Sequence, residues 1–184
     1  MNPQDDLAQA ALGERALKLG DDAAAEERLR RAVALEEREA YHYHGLFRLW
    51  SAKSAKGGGE RRQALLGQAL AEMDKALELH PYNALLWFER GVFCLRDDRG
   101  EEALASFLRA VELEPNYVAA RFNLAVSREK TGADPLADYR QLAELLDKDY
   151  DLSRENEYTR QVVRVQPGMR KIVAGKIKEL ERKK

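Results

Sequence analysis

The side chains with catalytic or metal-binding chemistry are few, and their spacing does not suit it. His42 and His44 flank Tyr43. Two positions apart on a helix, such rings point in different directions and cannot close on one metal ion. They are expected to face solvent or a groove. His80 immediately precedes Pro81, at a helix end where an imidazole meets free carbonyls, so a capping role is expected. Cys94 stands alone, with no histidine nearby in sequence to activate it. It reads as a buried, inert thiol, and a chain without a disulfide partner points to a reducing, cytoplasmic setting. Gly57, Gly58, Gly59 and Glu60 are not followed by Lys-Ser or Lys-Thr, so no phosphate-cradling loop is present. The numerous Asp and Glu residues read as solvated helix faces. No catalytic residue, metal site or cofactor is expected, and the chain reads as a non-enzyme.

The elements that would carry a binding role are clearer. Of 184 residues 45% are hydrophobic and 34% charged, and only five are proline. Ala, Leu, Glu, Arg and Lys dominate, all strong helix formers. No apolar run reaches the length of a membrane span. The acidic start, Met1 to Asp6, lacks the basic-then-apolar pattern of a secretory signal.

Self-similarity at one interval organises the chain. In the clearest unit, Ala84 to Tyr117, Trp87 is followed by Gly91 and Cys94, then by Ala103, Phe107, Ala110 and Pro115. Thirty-four residues earlier stand Ala69, Met73, Ala76 and Pro81. In the other direction, Phe88 maps onto Phe122 and Ala103 onto Ala137. Small residues sit where two helices would approach closely, large ones fill the space beside them, and the prolines end each second helix. This pattern resembles the tetratricopeptide repeat, with two departures. Arg90 stands where the family has Leu, and Cys94 where it has Tyr.

The resemblance implies an all-α, right-handed solenoid of three to four helical hairpins over residues 5–145, closed by a helical cap with a basic tail over 146–184. The units are about 6–39, 40–83, 84–117 and 118–145. In the first, Gln9, Leu12, Gly13 and Ala16 fit the first helix, Gly20 and Asp21 the turn, and Ala25, Leu29 and Ala32 the second helix. The second unit holds ten extra residues. The three glycines place them in a loop near 51–60, between helices at about 38–53 and 61–79, because each glycine costs a helix roughly 1 kcal/mol. Either Tyr41 or Tyr43 takes its Trp position. The fourth unit begins with Val118, Phe122, Leu124 and Ala125. It loses the pattern after Asp134-Pro135, with Gln141 and Glu144 standing at the Phe and Ala positions. In the tail, Ser153 is expected to cap one helix and Pro167 to begin another. Met169, Ile172, Val173, Ile177 and Leu180 then form a one-sided apolar stripe.

In such solenoids the first helices line a concave groove. Its residues are expected to be Leu85, Phe88, Val92 and Leu95 in the third unit, and Ala119, Phe122, Val126 and Glu129 in the fourth. With Tyr43 at the Trp position, Tyr41, His44, Arg48 and Ser51 follow in the second. The helix from Ala84 to Leu95 is apolar nearly all round, so its groove side needs a cover. That cover is either the C-terminal helix or an apolar helix or peptide from a partner protein. The family's clamp of Lys, Asn and Arg on a C-terminal carboxylate is not expected, since only Asn123 matches it.

Charge is uneven. Residues 150–184 carry ten basic against five acidic side chains, and the rest of the chain is acidic, leaving a net −1. This admits a further reading, nucleic-acid association through the basic tail; self-association is a third way to cover the apolar groove. Aromatic side chains for base stacking are sparse in the tail, with only Tyr150 and Tyr158.

Overall fold

In this computed structural model, residues 5–148 and 157–183 are described, and all regular structure among them is helical. In chain order the helices are α1 (Asp6–Leu19), α2 (Asp22–Leu35), α3 (Ala40–Lys56), α4 (Gly59–Leu79), α5 (Ala84–Arg96), α6 (Gly100–Leu113), α7 (Val118–Lys130), α8 (Leu136–Asp147) and α9 (Glu157–Glu181). None of them is long and apolar enough to cross a membrane. The helices are delimited by local chemistry. Asp5 and Asp21 cap α1 and α2, each accepting a 3.0 Å hydrogen bond from a backbone N–H three residues on. Gly20, at φ 78°, ends α1 in the left-handed conformation that glycine adopts without strain. Asn83 Oδ1 accepts from the N–H groups of Leu85 and Leu86 at the start of α5.

The chain divides into two compact units, Met1–Leu86 and Trp87–Lys184. In the first unit α1 and α2 form a hairpin around Leu29, which lies against both Gly13 and Gly45. A methyl added at either glycine would come within 2.7 Å of the Leu29 side chain. Ala25, Leu29 and Ala32 are fully or almost fully buried, as are Ala69, Met73 and Ala76 of α4. Arg48 pairs with Glu14, and Lys56 with Asp22 at 3.0 Å, each across an interval of 34 residues. Leu46 and Trp50 follow Leu12 and Ala16 by the same interval, which puts Tyr43 at the Trp position; Tyr43 is half-buried and Tyr41 exposed.

The loop expected over 51–60 is not there. Helix α3 continues to Lys56 and α4 begins at Gly59, so only Gly57 and Gly58 lie between them. Compared with the α5–α6 hairpin, α3 is four residues longer, α4 seven longer, and the turn one shorter. The ten extra residues therefore extend a hairpin. Ser51 to Lys56 is rich in Ala and Lys, and Lys53 and Lys56 are held by Glu26 and Asp22 on α2. Those local gains outweigh the glycine cost, which falls on the turn itself.

In the second unit α5 and α6 pack closely at Gly91, where an added methyl would lie 2.7 Å from the Phe107 ring. Ala103, Phe107, Ala110 and Cys94 are completely buried. Burial of Phe107 alone contributes about 1.5–3 kcal/mol. Arg90, at the Leu position, donates to Ser106 Oγ at 3.0 Å, and that hydroxyl donates to the Glu102 carbonyl at 2.7 Å. The departure from the repeat pattern is thus answered by a serine on the facing helix.

The fourth hairpin keeps its place but shifts phase. Ala137, Gln141 and Glu144 are exposed, and the buried face of α8 is Leu136, Tyr139, Leu142, Leu145 and Leu146. The α7–α8 connection, 131–135, is two residues longer than the α5–α6 connection, 97–99. Tyr139, Leu142 and Leu146 therefore stand where an unbroken interval would put Ala137, Arg140 and Glu144. Helix α9 then packs antiparallel on α8, with Arg140 paired to Glu181 at 2.8 Å and Arg170 to Asp147 at 3.0 Å. Pro167 lies inside α9 and does not begin it. Its fixed φ is already helical, so the ring forfeits one backbone hydrogen bond without ending the helix. The cap expected at Ser153 lies outside the described residues.

Candidate protein-binding face

The groove positions in the second unit lie on α5 and α7. Phe88, Val92, Leu95, Ala119, Phe122 and Val126 are all half-buried. The Phe88 ring sits between Phe107, at 5.8 Å, and Tyr117, at 4.8 Å, the residue that immediately precedes α7. That contact sets the apolar line of α5 beside the start of α7. Phe122 meets Tyr139 edge-on at 6.2 Å. It also packs against a core formed by Val118, Ala125, the buried face of α8, and Val173 of α9. Met169, Ile177 and Leu180 join this core, so α9 covers the last hairpin. Glu129, at the position equivalent to Leu95, is held by Lys176 of α9 at 3.1 Å.

The positions in the first unit have a different character. Leu85 is 39% and Tyr41 56% exposed, and Tyr41 rests against the edge of His80 at 5.9 Å. His44 stacks on Phe47 with ring centroids 6.1 Å apart. Arg48 is engaged by Glu14. Tyr41, His44 and Arg48 thus form a mixed polar surface, while the apolar face belongs to α5 and α7. Asn123, the one residue matching a carboxylate clamp, donates its amide to the Ala119 carbonyl at 2.8 Å.

His42 overturns an expectation. Instead of facing solvent or groove it is fully buried, and its Nε2 lies 2.9 Å from Asp6 Oδ2. This hydrogen bond holds the Asp6 carboxyl below the ordinary carboxylate range. The sequence carries a faint signal for the contact, since the two residues stand 36 apart, close to the repeat interval. The phenol of Tyr139 is pushed up to about 12, by burial first and by neighbouring Glu129 second. No cluster of His, Cys, Asp and Glu among the described residues could hold a metal ion.

No protein-family model matches the chain. Among solved structures, a thermophilic TPR protein of Thermus thermophilus superposes over 88% of this chain and 81% of its own, with TM-score 0.64 and 26% identity. The fold is the tetratricopeptide repeat. YrrB, described as a TPR protein with an unusual peptide-binding site, matches 97% of the chain and 94% of its own at TM-score 0.61 and 18% identity. The peroxisomal targeting signal receptor of Saccharomyces cerevisiae is 39% identical over 59 residues, 32% of this chain and 10% of the receptor. That of Candida glabrata is 38% identical over 71 residues, 39% of this chain and 11% of the receptor. The chain spans about a tenth of the length of these receptors. In tetratricopeptide terms, Phe88 and Phe122 occupy one repeat position, as do Val92 and Val126.

Proposed function

We propose that this chain is a non-catalytic, protein-binding adaptor of the cytoplasm that takes a helical or apolar peptide segment on the first-helix face of its repeats. The observation that carries the reading is the half-buried apolar line Phe88, Val92 and Leu95 on α5, repeated as Ala119, Phe122 and Val126 on α7. An apolar line left half open on successive repeats is the signature of helix-in-groove recognition. The peptide-binding site described for YrrB and the receptor role in the names of the curated relatives support the same class of activity. Asn123, the one residue matching a carboxylate clamp, donates to its own helix, which does not favour that mode. The nucleic-acid alternative is weakened because Arg170, Lys176 and Lys183 spend their charge on Asp147, Glu129 and Glu179.

The test is a photo-reactive amino acid placed at Val92 or Val126 of the full chain, with Ala105 on exposed α6 surface as control. Adducts to an apolar segment of one protein are expected from the first two sites. Adducts equally frequent at Ala105, or none at Val92 and Val126, would overturn the assignment.

A further inference from the structure

Helix α9 presents a second surface, away from the face that packs on α7 and α8. Its inward side is Val173, fully buried, with Met169, Ile177 and Leu180. Beside that stripe lie three pairs of residues seven apart, a spacing that brings side chains back to nearly the same azimuth. Val165 and Ile172 form an apolar ridge, 38% and 52% exposed. Gly168 and Gly175 come next, with open space where a side chain would stand. Lys171 and Lys178 follow, both exposed; exposed Arg182, just past the helix, closes the end of the glycine line, and Glu179, which ends the ridge, is neutralised by Lys183 at 2.6 Å. The apolar ridge, bare floor and cationic wall run side by side along one helix. None of the ion pairs described for α9 engages the wall: those involve Arg170, Lys176, Glu179, Glu181 and Lys183.

We propose that this face of α9 docks an acidic amphipathic helix from a partner protein. The helix would place its apolar side chains on Val165 and Ile172, bring its backbone close over Gly168 and Gly175, and set its carboxylates against Lys171, Lys178 and Arg182. The charge of the wall selects an acidic occupant, and the ridge with its glycine floor selects a helix over a polynucleotide. A nucleic acid would draw on the cations but gain nothing from the ridge. The α5 and α7 positions contribute nothing to this surface, so the two proposals stand or fall separately.

The probe is a synthetic peptide with Leu at helical spacings of three and four and Glu on the flanking positions. It is titrated by fluorescence anisotropy into the full chain, with a Lys-for-Glu version and single-stranded RNA as comparators. Saturable binding of the acidic peptide alone is expected. The triple variant K171E/K178E/R182E should weaken it about tenfold or more. Gly175→Leu should weaken it by a similar factor while raising the melting temperature, because a better helix former replaces glycine at an open position. That pairing separates loss of the seat from loss of the fold. V92D/V126D should leave the peptide affinity unchanged. Absence of saturable binding, affinity indifferent to either α9 variant, or tighter binding of RNA would each overturn the proposal.

Discussion

Gly91 shows how much one hydrogen atom in place of a methyl decides. Its neighbour Phe107 is completely buried, and a methyl would lie 2.7 Å from that ring. Gly91→Ala should therefore lower stability by about 1–2 kcal/mol in urea unfolding, overpacking exceeding the helix-propensity gain. Gly67, exposed in α4 with nothing within 4 Å, should show the opposite sign, a gain of about 0.5–1 kcal/mol on substitution by Ala. Tyr139 offers a second check. A phenol whose folded value is raised lends stability that is intact below about pH 10 and lost as pH climbs through the folded value of about 12. Absorbance titration of the tyrosines should show a step near 12 that Tyr139→Phe removes. At this scale the sequence was legible where size alone decides, as at Ala103, Phe107, Ala110 and Cys94. Only a faint trace marks the places where a polar side chain finds a distant partner. The buried contact of His42 with Asp6 joins two helices, and no local pattern announces it.

Helices were legible through their apolar spacing, and their ends less so. The three glycines suggested a loop, but Ala and Lys before them, and carboxylates on α2 to receive Lys53 and Lys56, keep the chain helical up to Gly57. In α8 a connection longer by two residues moves the buried face from Ala137, Arg140 and Glu144 to Tyr139, Leu142 and Leu146. A fixed interval cannot register such a change in a turn. Pro167 illustrates a third case, since a residue suited to a helix start sits inside a 25-residue helix. The missing N–H and the ring's clash with the preceding turn make Pro167→Ala stabilising for α9, by up to about 3 kcal/mol. Amide exchange along 168–181 should slow in that variant. Unchanged exchange there would mean the helix does not bear the cost assigned to its proline.

For the whole molecule, repetition supplies both the interior and the surface offered to a partner. Within each compact unit a hairpin buries one side of its first helix against its own second helix, which is the logic of repeat proteins. The acidic body and basic end of the chain meet in ion pairs such as Lys176 with Glu129, 3.1 Å apart, which tie α9 to α7. Part of the apolar surface is thereby covered from within, while Val92, Leu95 and Val126 stay half open. The most direct test of the account takes the segment recovered by cross-linking at Val92, made as a synthetic peptide, and measures its affinity by calorimetry for the unaltered chain and for V92D/V126D. Affinity should be weaker by about 30-fold or more with the melting temperature little changed, because two carboxylates would be desolvated at the contact. Equal affinity for the two chains would contradict it.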